Sequence, residues 1–226
     1  KTIQNNLIPL IKILNFTKSK KSKIIFFSTS EIYSPLIDRK LINFPLNEEN
    51  DLLVPKNVSP RDSYFLSKLF CEKILQLSSS DYIILRPHNI YGPRMGYSHV
   101  IPELIKKLSI SKKKIQIFSP SHKRAFCYID DAINQIIKLS FNKKNNKLVF
   151  NIGNAKEEIK IFDLAKKIQF YLRRKNLITK GKITQGSPSR RVPSMKKTIS
   201  RVNIKNFTNL NSGLLKTIDW YLNEKN

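Results

Sequence analysis

The chain has 226 residues, 40% of them apolar and 13 of them Phe, enough to bury the core of one large domain, or of a domain with a smaller lobe, without disulfide or metal staples. A formal charge of +26 invites a nucleic-acid reading, but the lysines come with abundant Asn and Ile, and a lysine-rich solvated surface that favours an anionic substrate is the preferred account. The longest apolar runs, such as "IIFF" and "YIIL", fall far short of the roughly 18 residues of a membrane span and no cleavable leader is read at the start, so no membrane partner is expected, and two cysteines without a disulfide framework make a reducing cytoplasm the expected location.

In chain order, residues 3 to 16 carry Ile3, Leu7, Leu10 and Leu14 on one stripe, which predicts a helix. "KIIFFSTS" follows as a strand, and its unbroken apolar run predicts cover on both faces, as in a parallel sheet. The next polar stretch, through "NFPLNEENDLLVPKNVSPRD", is longer than an idle connection needs. A helix from Pro60 to Ser79 comes next, with Asp62 or Ser63 as its cap, and then the buried strand "DYIILRP". Past Pro93 the pieces shorten. Helices are expected over 100–110, 130–140, 160–174 and 211–224, and strands at "KIQIF", "FCYI" and "LVFNIG". The lysine runs "KSKKSK" and "SKKKIQ" each precede a strand and read as solvated helix-to-strand loops. The expected fold is therefore α/β: a doubly wound parallel sheet over 1–93, and mainly a smaller α+β substrate lobe over 94–226, with helices and a strand returning to the sheet.

A doubly wound dinucleotide fold uses a glycine-rich turn after its first strand to bring backbone N–H groups onto a pyrophosphate. The six glycines, at 92, 96, 153, 181, 186 and 213, never form G-x-G-x-x-G. Either there is no dinucleotide site, or the units that hold it are missing ahead of Lys1. Cys71 and Cys127 make neither a disulfide framework nor a metal spacing, and His88, His99 and His122 make no ligand set. No metal is expected, and the three histidines read as ordinary surface or cleft residues.

Three tyrosines stand four residues before a lysine, Tyr64/Lys68, Tyr171/Lys175 and Tyr221/Lys225, where the composition gives about one such pair by chance. Neighbourhood separates them. Tyr171 joins an apolar stripe of Phe162, Leu164, Ala165, Ile168 and Leu172, with Lys175 in the last helical turn, where a cation suits the dipole. Tyr221 sits beside Trp220 and Leu222 in the last helix. Both read as structural. Tyr64 instead follows "STSEIY", a strand end that delivers hydroxyls and a carboxylate to the edge where open α/β sheets bind ligands. Tyr64 and Lys68 share one helix face. An ammonium near a phenol lowers the phenol's pKa from about 10, and Thr29 or Ser30 is positioned to hold a substrate hydroxyl against it.

"STSEIY", "SYFLSK", "RPHNIYGPR" and "RAFCYIDDAI", in this order and at these separations, resemble the extended short-chain dehydrogenase/reductase family, specifically its NAD-dependent nucleotide-sugar epimerases, dehydratases and decarboxylases. The likeness runs through "FNIGN" to "GLLKTIDWYL". Members begin with a glycine-rich nucleotide-binding half, so the chain resembles an N-terminally truncated piece with a Rossmann-like sheet. The resemblance implies that Tyr64 is the acid/base acting on the sugar's 4-hydroxyl, that Lys68 holds the nicotinamide ribose and depresses the Tyr64 pKa, and that Thr29, with Ser30 next, shares the bond to the reacting oxygen. Ser28 and Pro87 fall on the cofactor side with Tyr64 and Lys68. Asn89 faces the substrate, and Arg124 and Arg191 match positions that grip the diphosphate, a task guanidinium suits by bidentate contact, or that lie near the sugar. The implied partners are NAD, a nucleotide-diphosphate sugar and a second copy of the chain, paired through helices at 1–16 and 60–79.

Glu31 stands where dehydratases and decarboxylases of that family commonly carry Glu, which tilts the expected reaction towards those two over 4-epimerisation. A loop cap or a salt-bridge partner is the plainer account of the same residue. The sequence departs from the family pattern at Ser34, at "SPSHKR", at Ser194, and at Gly186 and Ser187, where an acidic pair is usual.

Overall fold

The structure is a computed structural model that describes residues 1–20, 22–111, 114–204 and 206–223. Parts of the two lysine runs, residue 224 of the expected final helix, and Lys225 lie outside the described residues. In chain order the elements are α1 (Thr2–Lys20), β1 (Ile24–Phe27), α2 (Ser34–Asp38), α3 (Ser63–Leu77), β2 (Tyr82–Pro87), β3 (Ile90–Tyr91), α4 (Val100–Ile110), β4 (Ile115–Ile117), β5 (Lys123–Ala125), β6 (Cys127–Tyr128), α5 (Ile129–Ser140), β7 (Leu148–Ile152), β8 (Glu158–Lys160), α6 (Ile161–Tyr171), β9 (Ile178–Lys180), β10 (Arg190–Arg191), α7 (Lys196–Val202) and α8 (Leu210–Asn223). Among the described residues no helix is long and apolar enough to cross a membrane, and no group of His, Cys, Asp or Glu could hold a metal.

The chain divides into two compact units. The first comprises Lys1–His88, Asn134–Ile152 and Pro193–Asn203, and the second Asn89–Ile133, Gly153–Val192 and Ile204–Asn226.

In the first unit the strands run parallel in the order β1-β2-β7, with Ile24 opposite Tyr82 and Ile83 opposite Leu148. Period two puts Ile24 and Phe26 on one face with Tyr82 and Ile84, and there α1 and α3 close a core of Leu10, Cys71 and Leu75. The α1 stripe is graded: Leu10 is buried, Leu7 and Leu14 pack partly, and Ile3 is exposed. β2 is buried along its apolar run on both faces, as its sequence implies. β1 is not. It lies at the sheet edge, where Ile25 and Phe27 are 41% and 46% exposed, so the expected cover on both faces exists on one only. The long polar stretch is mostly exposed but anchored to the core by Leu46, which is fully buried, bridges Pro193, and accepts from the Ser194 N–H.

The second unit packs α4, α6 and α8 around Tyr91, Phe126, Leu164, Leu214 and Tyr221. Its strands are short: β10-β5-β8, with β5 antiparallel to β8, and the parallel pairs β3-β6 and β4-β9. Gly213 is required here, because a Cβ would fall 2.1 Å from the Tyr91 hydroxyl oxygen. Tyr221 is buried and its hydroxyl donates to the Met95 carbonyl, while Tyr171 packs partly against the same core. α6 stops at Tyr171, where Arg173 turns into the left-handed region (φ 51°), so Lys175 lies beyond the helix and cannot serve its dipole.

Candidate active site

In the first unit, β1 ends at Phe27 and the chain continues extended through Ser28 and Thr29 into a 3-10 turn, Ser30–Tyr33. Thr29 caps that turn, its Oγ1 accepting from the Glu31 N–H at 3.2 Å. One lone pair is thereby used, and the hydroxyl keeps its proton for donation. Ser28, Thr29 and Ser30 are buried and Glu31 is half-buried. The Ser28 N–H donates to the Leu85 carbonyl at 2.8 Å, but Ser28 Oγ has no partner among the described residues. An orphaned buried hydroxyl is costly unless a ligand or water satisfies it.

Helix α3 packs against this turn. Tyr64, in its first turn, is 40% exposed and so open to a substrate. Asp62 is not the side-chain cap of α3: its carboxylate accepts instead from the Ser59 N–H and Oγ, and the Ser63 hydroxyl donates to the Pro60 carbonyl. Behind Tyr64, Ser67 Oγ donates to the Tyr64 carbonyl at 2.7 Å and accepts from Asn6 of α1 at 2.8 Å, which fixes the backbone from which the phenol projects. Lys68, one turn on, donates from Nζ to the Phe27 carbonyl at 2.9 Å and lies over the Phe26 ring. Burial pushes its pKa down, with Cys71 opposing. The ammonium is thus held at the carboxyl end of β1, on the face of α3 that carries Tyr64.

The site rests on a buried polar web. Arg86 of β2 donates from Nε and Nη2 to the two Glu72 oxygens at 3.0 and 2.7 Å, and from Nη1 to the Tyr33 hydroxyl at 2.7 Å and the Glu48 carbonyl at 3.2 Å. Asn151 receives the Tyr33 hydroxyl on Oδ1, which also contacts His88 Nε2 at 2.9 Å, and its backbone N–H donates to Glu48 Oε1. His88 is fully buried, which corrects the expectation of a surface or cleft histidine. The signal for this web is a charge inside an apolar strand, Arg86 in "YIILRP", with Glu72 inside the apolar helix run "LFCEKIL". A depression of about 390 Å³ in the same unit, lined by Glu48, Asp51, Lys73, Arg86, Lys147 and Lys197 among others, touches none of the expected catalytic residues.

Pro87, half-buried, ends β2. In the second unit Asn89 adopts φ 43°, and its Nδ2 donates to the Ala125 carbonyl at 3.0 Å. Arg124 and Arg191 are register neighbours on the parallel strands β5 and β10. Arg124 is buried, and its Nη1 donates to the Lys123 carbonyl at 2.8 Å while Nη2 donates to Ser187 Oγ at 3.0 Å and the Pro188 carbonyl at 2.7 Å. Both Nη2 protons are therefore committed. The remaining Nε–H and the second Nη1–H lie on different edges, so Arg124 as it stands cannot offer the expected bidentate fork. Burial first, and then the charge of Arg191, push its pKa down to about 9, which leaves it cationic at neutral pH. Arg190, by contrast, is matched by a bidentate ion pair with Glu158 at 2.6 and 2.9 Å. His122 is also buried, its Nδ1 lying 3.4 Å from Ser187 Oγ, where a surface or cleft histidine was expected.

Residues 1–153 match the family described as "NAD dependent epimerase/dehydratase family". The chain is 27% identical over 191 residues to UDP-D-apiose/UDP-D-xylose synthase 2 of Arabidopsis thaliana, covering 73% of this chain and 49% of that protein. It is 32% identical over 179 residues to dTDP-D-glucose 4,6-dehydratase of Dictyostelium discoideum, covering 74% of this chain and 39% of that protein. Among solved structures, UDP-glucose 4-epimerase of Thermotoga maritima, with UDP-glucose, superposes with TM-score 0.83 at 21% identity, over 99% of this chain and 71% of that one, which establishes a shared fold. The chain spans about half the length of the first curated relatives it matches.

Proposed function

The chain belongs to the NAD-dependent epimerase/dehydratase family, and on that premise we propose that the whole protein converts a nucleoside-diphosphate sugar through a 4-keto intermediate, by 4,6-dehydration or decarboxylation in preference to 4-epimerisation. The observation that carries this reading is the placement of Tyr64 and Lys68 on one face of α3, with Lys68 Nζ bonded to the Phe27 carbonyl at the mouth of the Ser28–Glu31 turn. NAD, when bound, supplies the hydride acceptor. Its nicotinamide end would be held by Ser28, Tyr64, Lys68 and Pro87, and the Ser28 hydroxyl, which has no partner among the described residues, fits that role. The residues of this chain do the proton work. Tyr64, as the phenolate that the Lys68 ammonium stabilises, takes the proton from the 4-hydroxyl as C4 is oxidised and becomes the neutral phenol, and Thr29, with Ser30 beside it, donates to the reacting oxygen. In the second unit, Asn89 is read as a contact for the sugar, and Arg124 and Arg191 as the positive charge for the diphosphate.

Glu31 distinguishes the outcomes. A ketone at C4 acidifies C5, and a carboxylate at the strand end removes the C5 proton for loss of the C6 hydroxyl, or in its acid form protonates C5 after carbon dioxide leaves a uronic acid. The similarity to a 4,6-dehydratase supports this lean. Exposed apolar side chains, Ile8 and Ile11 on α1 and Phe70 on α3, support pairing with a second copy, and the free cysteines Cys71 and Cys127 fit a cytoplasmic location. Incubating the whole protein with NAD and, in turn, dTDP-glucose, UDP-glucuronate and UDP-glucose, and following products by NMR, tests the reading. A 4-keto-6-deoxy sugar or released carbon dioxide is expected. Only C4-inverted sugar would overturn the lean, and no turnover of any would overturn the reading.

A further inference from the structure

We propose that Ser187 is a positioning residue that orients Arg124 while leaving its charge uncompensated, so that a doubly charged diphosphate is held by a fixed but unneutralised guanidinium. The inference rests on the reading of Arg124 as a diphosphate ligand and adds a residue and a charge rule to it. Every described contact of Arg124 is to a neutral oxygen: the carbonyls of Lys123 and Pro188 and the hydroxyl of Ser187. The two carbonyls belong to the backbone. Ser187 is the one side chain among them, and it stands where the resemblance leads one to expect an acid. A carboxylate there would orient the guanidinium equally well and cancel it. The neighbouring Arg190 shows that alternative in the same sheet, closed bidentately onto Glu158.

The serine is itself held. Its hydroxyl accepts from Arg124 Nη2 and also lies 3.4 Å from His122 Nδ1, where the imidazole tautomer sets which of the two donates. His122 is buried, and its backbone is fixed on both sides, its N–H donating to Ser119 and its carbonyl accepting from Ile161. The order Arg124, Ser187, His122 thus ends on a rigid group. With Arg191 beside Arg124 in register, two guanidinium groups adjoin one another, an arrangement that a dianion relieves better than a monoanion.

The test uses the whole protein and reads Kd by calorimetry for UDP, dTDP, UMP and inorganic pyrophosphate, and KM and kcat for any substrate it turns over. Ser187→Ala should weaken diphosphate binding about tenfold, the loss of one hydrogen bond to a charged group, with the effect in KM far more than in kcat. Ser187→Thr should restore binding to within about twofold, since the hydroxyl is kept. Ser187→Asp should weaken binding at least as much as Ala despite preserving an acceptor, and should reduce the preference for UDP over UMP. Arg124→Gln separates the two claims. If it binds as the unchanged protein does, or if that protein binds none of the four probes, the diphosphate reading fails and this proposal with it. If Arg124→Gln weakens binding while Ser187→Ala does not, or while Ser187→Asp binds as tightly as the serine protein, the proposal alone is overturned. Thermal melts of each variant show that it is folded.

Discussion

Removing the charge of Glu72 should be among the most damaging single changes in the first unit. Arg86 and Glu72 are both buried, at 2% and 0% exposure, and are joined by two hydrogen bonds. Burial opposes the Arg86 charge; the bonds and charge of Glu72, and then Tyr33, overcome it and hold the guanidinium well above its ordinary value. Glu72→Gln leaves a buried cation with neutral acceptors alone, the Tyr33 hydroxyl, the Glu48 carbonyl and one amide oxygen, and turns an –NH2 towards the guanidinium. Breaking one side of a buried pair costs about 3–5 kcal/mol. For a protein of this size each kcal/mol lowers Tm by about 2–4 °C, so Tm should fall by about 6–20 °C. The double variant Glu72→Leu/Arg86→Met replaces both charges by apolar groups and should recover most of the loss. Because Arg86 directly precedes Pro87, the single variant should also lower activity below its Tm by loosening the end of β2. Circular dichroism melts of the three proteins decide the matter. A fall of less than 2 °C for Glu72→Gln, or a double variant no better than the single, would refute the reasoning.

Glu48 is buried and its carboxyl is pushed up, chiefly by desolvation, against the Asn151 N–H and the charges of Lys197 and Arg86. A folded value above the unfolded one means that the native state binds more protons, so stability present at low pH is lost as pH rises through the folded value. Glu48→Gln keeps an acceptor for the Asn151 N–H and removes the titration; its Tm relative to the unchanged protein should be higher at pH 7 than at pH 4, and an equal offset at both would contradict this. If α1 forms a dimer face, Ile8→Glu/Ile11→Glu should shift the whole protein to monomer in sedimentation, whereas Leu77→Glu, on the 88% exposed end of α3, should not. Glu31→Gln should abolish dehydration or decarboxylation by about a hundredfold, as loss of an acid/base does, and leave C4 oxidation measurable in a single turnover; equal loss of both steps would assign Glu31 a structural role.

How much of this the sequence carried depended on range. The run "YIIL" is apolar along its length and lies buried in the centre of the sheet, and α4 and α5 begin and end within a residue of the pattern that announces them. "IIFF" has the same texture, yet half of it is exposed, because an apolar run reports capacity for burial and not which faces the described elements cover. β3 and β10 are two residues each, too short for any periodicity to register. The grouping of Ser28–Glu31 with Tyr64 and Lys68 was legible because each arrives at the end of a strong strand or the start of a strong helix. The clamp on Arg124 was not, since two of its three described partners, Ser187 and Pro188, lie more than 60 residues away in a stretch with no periodic signal. His122 was misread for the same reason: a lone histidine beside Lys and Arg looks solvated until the turn that buries it is known.

The central claim, that Tyr64 is the acid/base of a nucleotide-sugar enzyme, is met most directly by Tyr64→Phe in the whole protein. The phenol is exposed and its hydroxyl has no described role in packing, so the variant should melt within about 2 °C of the unchanged protein, as surface substitutions do, and bind NAD and nucleotide sugar as before. Turnover, followed as substrate consumed and product formed by NMR, should fall by about a hundredfold or more. Full turnover by Tyr64→Phe would contradict the account.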